Sequence, residues 1–325
     1  MSHLHRVSLM PVLCTCLLVL APLRSDRVLP DNKIQIASAL LCHFETVFYA
    51  KGELLASPGG YRDLSKEDSN SLRAPFAYLI SGLAAAGPQI SRDVLRSDEV
   101  FVGATDFLPP SGLGSVHFQY CYVIVLDSPE FLDLRTDFKS DPFAKANGSP
   151  VWHWTAKLGE FGENDPRASS FYITQTKSHY VLVSNDLSDL RIMAQQLSVP
   201  DGTPSLIPLR EWEFVTGHEV WGYRPYRQTG TNRASSGRSD VASDAQAFIF
   251  TANAEEKVAT LRLIASDQRP ADKFNADAER MKARLSGLHA AGAGVWETTF
   301  TLSGDRLTAG RLFEIMGLLG FGAYL

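Results

Sequence analysis

The stretch from Ser169 to Leu197 constrains the fold most, because it predicts two strands and a helix in immediate succession. Phe171–Thr176 and His179–Ser184 are rich in β-branched and aromatic residues, and the two residues between them predict a tight hairpin. Either residue of Asn185-Asp186 can then cap a helix. The apolar residues that follow recur at helical spacing on one side: Leu187, Leu190, Met193, Ala194 and Leu197.

The same order of strand, polar corner and helix recurs three more times, in VIVLDSPEFLDL (123–134), FIFTANAEEKVATL (248–261) and TFTLSGDRLTAGRLF (299–313). The corners are unevenly spaced, which excludes a solenoid repeat. Strands joined by turns outnumber strand–helix–strand crossovers. We therefore predict an α+β fold: a mostly antiparallel sheet with helices packed on one face, built from recurring strand–corner–helix units.

Val116–Leu126 is the strongest strand in the sequence, and its second half is apolar on both faces. That pattern predicts a central strand covered on both sides. Ser71–Ala86 predicts a helix that stops before Pro88. Leu209–Tyr223 predicts a pair of strands, and the residues after Asn253 predict a helix, because Val258, Leu261 and Ile264 lie three apart.

The N-terminus resembles a secretory signal: Arg6 precedes the apolar run Val7–Leu23, and polar residues follow it. The run is short for a membrane-spanning helix. Leu23 stands where a signal peptidase prefers a small residue. We predict export to the periplasm or the exterior. An uncleaved membrane anchor is one alternative, and a start at Met10 with the apolar run as a core strand is another.

The predicted domains are a signal peptide at 1–23, an N-terminal α+β module at 24–145 and a C-terminal α+β module at 146–325. Residues 224–243 are rich in Ser, Gly, Asn and Arg without periodicity, and they predict a mobile loop in the second module. A single larger domain also fits the sequence.

A net charge of −5 over 325 residues argues against nucleic acid as a partner, which requires clustered Lys and Arg. No zinc-ligand spacing is present, so neither a metal nor a cofactor is predicted. Cys42 and Cys121 would remain after removal of the signal. They could pair in an oxidising compartment or stay as separate buried thiols.

Catalytic residues are hard to identify, because no nucleophile motif or metal motif occurs. The candidates are His153, His179 and Asp106, which are scattered over predicted strand ends and loops. His153 lies between Trp152 and Trp154 and, on a strand, should face away from both. The histidines could form one site only if their strands were neighbours.

The sequence favours an exported protein that acts by non-catalytic binding or as a structural component of the envelope. The alternatives are a hydrolase with a dispersed site around the three candidates and a carrier of an apolar ligand between sheet and helices. The C-terminal residues 315–325 are apolar to the end. They either form the last core element or dock on an envelope or protein partner.

Overall fold

The computed structural model describes residues 32–56, 61, 63–87, 97, 99–107, 117–126, 132, 134–138, 141–156, 170–176, 180–198, 205–225, 245–265 and 287–319. The predicted signal peptide therefore lies outside the described residues, as do residues 226–243 of the predicted mobile loop. None of the described helices combines the length and the apolar character needed to span a bilayer.

The described residues form one antiparallel sheet of twelve strands. In chain order they are β1 (Thr46–Lys51), β2 (Glu99–Phe107), β3 (His117–Val125), β4 (Ala144–Ala146), β5 (Ser149–Thr155), β6 (Ser170–Gln175), β7 (Tyr180–Ser184), β8 (Val220–Pro225), β9 (Ala245–Asn253), β10 (Val258–Ala265), β11 (His289–Gly292) and β12 (Val295–Thr301). Across the sheet the order is β11-β12-β10-β9-β8-β1-β2-β3-β7-β6-β5-β4. The earliest strands thus lie in the middle, and later strands extend the sheet on both sides.

Eight α-helices are described around this sheet. They are α1 (Asn32–His43), α2 (Gly52–Ala56), α3 (Lys66–Arg73), α4 (Ala77–Ala86), α5 (Leu134–Phe138), α6 (Leu187–Gln196), α7 (Leu209–Val215) and α8 (Arg306–Leu318). A 3-10 turn, Ala74–Phe76, separates α3 from α4. The predicted helix 71–86 is thus broken at Pro75, which cannot donate a backbone hydrogen bond. Its second part, α4, ends at Ala86, before Pro88 as predicted.

Helices pack against both faces of the sheet, so the prediction of helices on one face is not confirmed. Alternate residues of β1 point in opposite directions: Phe48 lies in one core and Tyr49 in the other. Face A, the side of Phe48, is covered by α2, α3, α4, α5 and α8. Face B, the side of Tyr49, is covered by α1, α6 and α7. The coarser prediction of an α+β fold with an antiparallel sheet is confirmed.

The hairpin and helix predicted around residues 169–197 are confirmed as β6, β7 and α6. Asp186 is the cap: one carboxylate oxygen accepts hydrogen bonds from the N–H groups of Ser188 at 2.6 Å and Asp189 at 3.2 Å. The central position of β3 is also confirmed, because β2 and β7 pair with it and Tyr122 and Val123 are buried on opposite faces.

Two of the four strand–corner–helix units are confirmed, β7 with α6 and β12 with α8. The corner of the unit at 123–134 lies outside the described residues. The prediction of a strand followed by a helix at 248–261 is wrong, because β9 turns directly into β10. Asn253 does accept a hydrogen bond from the N–H of Glu256 at 3.2 Å, but Lys257 then takes φ 55° and the chain reverses.

The predicted strand pair at 209–223 is also wrong in its first half. Leu209–Val215 is the helix α7, and only Val220–Pro225 is a strand. Trp212 and Val215, three residues apart, both enter the core of face B. This burial favours the helix over the alternating pattern of Glu-Trp-Glu-Phe, as tertiary packing commonly overrides local propensity.

The first half of the apolar C-terminus belongs to the core. Ile315, Met316 and Leu319 are fully buried on face A, and the hydroxyl of Thr46 donates a hydrogen bond to the Leu319 carbonyl at 2.8 Å. Residues 320–325 lie outside the described residues, so a partner at that end stays a prediction.

Candidate functional site

The structure does not bring together the two sequence candidates that it describes. His153 lies on β5, and the backbone of Asp106 lies on β2. Strands β3, β7 and β6 separate them. Four strand spacings of about 4.8 Å place their strands about 19 Å apart. His179 lies outside the described residues, so its part in a dispersed site stays a prediction.

His153 instead belongs to an aromatic cluster on face B, formed with Phe143 and Tyr172. The ring of His153 lies 4.7 Å from that of Tyr172 and 5.4 Å from that of Phe143, and the last two rings are 5.9 Å apart, measured between centroids. Phe143 is 61% exposed. Trp152 and Trp154 pack on face A, which confirms that His153 faces away from both.

Strand register brings these rings together. His153 and Tyr172 are direct partners in the β5–β6 ladder, and the N–H of Phe143 donates to the Val151 carbonyl at 2.7 Å. Burial lowers the pKa of His153. The imidazole is therefore favoured in its neutral form, with one donor and one acceptor nitrogen.

A second constellation joins α1 to α6 on face B. His43, the last residue of α1, places Nε2 2.7 Å from Oδ1 of Asp189. The side chain of Asp189 is 7% exposed and that of His43 is 30% exposed. The other carboxylate oxygen of Asp189 is buried, with no hydrogen-bond partner among the described residues. Burial raises the pKa of Asp189, and the hydrogen bond from His43 opposes the shift.

A buried carboxylate that orients an imidazole is the arrangement that serves general-base catalysis in hydrolases. Within the described ranges, however, the His43 ring has no hydroxyl or thiol hydrogen-bond partner. Cys121 is buried, and burial together with the Asp189 charge raises the pKa of its thiol. Cys42 is exposed, and both cysteines are free, so they do not pair. The geometry is that of a structural hydrogen bond that joins α1 to α6.

Sequence reasoning missed His43. The residue lies in a stretch where helix and strand patterns overlap, and its partner is 146 residues away. Asp189 was identifiable only as part of a helix start. The one usable signal was a histidine at the end of a helix, where the helix dipole favours a positive charge.

A third titratable group, Asp68, is fully buried in α3. Burial raises its pKa, the Ser65 hydroxyl and the Gly304 N–H oppose the shift, and the charges of Asp305 and Glu67 add to it. Gly304 has φ 71°, and a Cβ there would lie 2.5 Å from Ser65. The loop before α8 therefore lies directly against the start of α3.

We expect Asp68→Asn to make the protein more stable than wild type at pH 7, with the difference disappearing by about pH 3. A carboxyl whose pKa is raised on folding stabilises the protein below its unfolded pKa, and this contribution is lost as pH rises through the folded pKa. Urea denaturation of both proteins between pH 3 and pH 7 measures the effect.

Asp305→Asn is the control variant, for which we expect the opposite change in stability at neutral pH. Hydrogen bonds from the Thr308 N–H and from the Ser303 and Thr308 hydroxyls lower the pKa of Asp305, so its substitution should lose stability at neutral pH and not in acid. A stability difference for Asp68→Asn that grows towards acid pH would contradict the burial argument.

No protein family model matches the sequence, and the search of curated proteins found no significant match. The structure is similar to crystal forms I and III of TP0453, with TM-scores of 0.40 and 0.39 and sequence identities of 14% and 13%. These similarities cover 87% and 86% of this chain and 97% of each TP0453 chain. Similarity at this level carries no inference about function.

Proposed function

We propose that this protein is exported and acts by non-catalytic binding at the cell envelope, with the aromatic cluster as its binding surface. The observation that carries the proposal is Phe143, which is 61% exposed while its ring contacts those of His153 and Tyr172. The signal-like N-terminal pattern supports export.

The cluster has the physical properties of a recognition surface. Aromatic side chains provide large contact areas with few rotatable bonds, so that little conformational entropy is lost on binding. His153 and Tyr172 lie on paired strands of a twelve-stranded sheet, which hold their backbones in place before a ligand arrives. Such preorganisation increases affinity because less ordering is required.

We expect Phe143→Ala to weaken binding to isolated envelopes of the source cells by about tenfold, equivalent to about 1.4 kcal/mol. The loss follows from removal of the exposed ring. Leu209→Ala is the matched control, because Leu209 is 70% exposed on α7 and outside the cluster. Co-sedimentation of purified protein with a dilution series of envelopes gives the affinities.

Equal binding by wild type and Phe143→Ala would refute the cluster as the surface. A loss shared by Leu209→Ala would show a general effect of exposed apolar residues instead. The runner-up function is a hydrolase, in which the hydrogen-bonded His43–Asp189 pair would act as the general base. Envelope binding that depends on Phe143 and not on His43 separates the two functions.

A further inference from the structure

We infer that Asn147 is a deamidation site that the folded β4–β5 hairpin keeps unreactive and that becomes reactive when β4 separates from β5. Asparagine is among the residues that degrade most readily in proteins. Asn147-Gly148 is the one Asn-Gly dipeptide of the sequence, and both residues are exposed. The inference does not depend on the proposed function, because it concerns the chemistry of the chain itself.

The reaction requires only Asn147, Gly148 and water. The backbone nitrogen of Gly148 loses its proton to a solvent base and attacks Cγ of Asn147. The N–Cγ bond forms, the Cγ–Nδ2 bond breaks, and the side-chain nitrogen leaves as ammonia. Water then opens the five-membered imide at one of its two carbonyls, which gives aspartate or isoaspartate. Glycine favours the attack, because it has no Cβ to obstruct the approach of its nitrogen.

The turn between β4 and β5 holds the two reacting atoms apart. Ala146 pairs with Ser149, so the loop between them has two residues. Asn147 and Gly148 have φ angles of 45° and 82°, as a type I′ turn requires. In such a turn the first residue has a ψ of about +30°, which rotates the Gly148 nitrogen about 150° away from the Asn147 Cβ around the Cα–C bond. Ring closure needs these two atoms nearly eclipsed, so the hairpin must open before the imide can form.

The attachment of β4 to the rest of the sheet is weak enough for such opening. β4 is a three-residue strand at the end of the described sheet, and of its residues only Ala146 is buried. Two further contacts join this hairpin to α6. Arg191 Nε donates to the Lys145 carbonyl at 3.1 Å, and Asn147 Nδ2 donates to the Ala194 carbonyl at 3.4 Å. Segments with few buried contacts and exposed hydrogen bonds open at a small fraction of the free energy of global unfolding.

The isoaspartate product prevents the hairpin from closing again. Isoaspartate carries the main chain through its side-chain carboxyl carbon, so the loop gains one backbone carbon. Ala146 and Ser149 then no longer match in register, because loop length and turn type determine that pairing. The N–H of Phe143 donates to the Val151 carbonyl in the same hairpin. Deamidation therefore detaches Phe143 from the aromatic cluster.

The test compares deamidation of the full chain in buffer and in denaturing urea at one pH and temperature, with mass spectrometry of the peptide that contains Asn147. We expect the rate in buffer to be lower by about tenfold or more. Arg191→Ala removes the donor to the Lys145 carbonyl, so it should raise the rate in buffer about threefold. Arg306→Ala is the matched control, because Arg306 is an exposed arginine on α8, and it should leave the rate unchanged.

Equal rates in buffer and in urea would overturn the inference, because the turn would then not control the reaction. Absence of product in urea would also overturn it, because Asn147 would not be reactive in the open chain. Hydrogen exchange of the purified isoaspartyl chain tests the consequence for the hairpin. We expect the Phe143 amide to exchange about tenfold faster or more than in the unmodified chain. Unchanged exchange would show that the hairpin closes around isoaspartate and would overturn the loss of pairing.

Discussion

His43→Ala is expected to lower the free energy of unfolding by about 2–3 kcal/mol at pH 7, and Asp189→Ala by about 1 kcal/mol. The asymmetry follows from burial. Loss of His43 leaves the Asp189 carboxylate, 7% exposed, without its hydrogen-bond donor. Loss of Asp189 leaves an imidazole that is 30% exposed and can bond to water. Removing one partner of a fully buried ion pair lowers the free energy of unfolding by more than this. The partial exposure of His43 reduces the loss expected here.

The penalty in His43→Ala should shrink towards acid pH. The pKa of Asp189 is already raised by burial, and removal of His43 removes the interaction that opposes the shift. The carboxyl therefore favours folding when it is protonated, and this contribution is lost as pH rises through its folded pKa. Denaturation of wild type, both single variants and the double variant at pH 4 and pH 7 gives the coupling energy.

Arg135 and Asp141 provide the control pair. Their side chains are 76% and 88% exposed and their charged atoms are 3.5 Å apart. Exposed pairs of this kind contribute about 0–1 kcal/mol, so their double-mutant cycle should show almost no coupling. A coupling for His43 and Asp189 that is equally small would show that the contact does not tie α1 to α6.

Gly82→Ala is expected to destabilise the protein by about 2 kcal/mol through overpacking. Gly82 lies in α4, and a Cβ there would lie 2.5 Å from the ring of Phe171. Phe171 is fully buried and stacked on Trp154, with centroids 5.1 Å apart, so its ring has little room to move. The Trp154 Nε1–H also donates to the Gly82 carbonyl at 3.0 Å, which fixes the helix at this distance.

Gly310→Ala is the matched substitution, because Gly310 lies inside α8 and a Cβ there meets no atom within 4 Å. Alanine should stabilise this helix by about 0.5–1 kcal/mol. Thermal and urea denaturation of the two variants separates the two effects. If both variants gained stability, α4 would lie further from the sheet than the structure shows.

Local patterns were sufficient where the neighbouring chain supplied the partners. The Asp186 cap and the β6–β7 hairpin could be predicted because every interacting residue lies within a few positions. Local patterns were insufficient for β10, because Leu261 fits both a helical and an alternating pattern. Pairing with β9 and β12 buries Ala259, Leu261 and Leu263 together on face A, and no local pattern contains those partners.

The residues of the candidate sites also differ in whether local sequence or distant contacts determine their positions. The direction of His153 could be predicted, because alternation along a strand places it opposite Trp152 and Trp154. Its neighbour Tyr172 could not, because that contact depends on the register of two strands separated by residues 156–169. The partner of His43, Asp189, lies 146 residues away in the sequence and on another helix. Only the packing of α1 and α6 against the same face of the sheet brings the two side chains together.

The position of β1 affects how the chain must fold. Ala50 pairs with Val100 on one side and with Val220, 170 residues later, on the other. One edge of the strand that lies at the middle of the finished sheet thus stays open until most of the chain has been synthesised. During that interval its unpaired N–H and C=O groups can pair with strands of other chains. Synthesis of this chain therefore includes a period of exposure to aggregation that its folded state does not reveal.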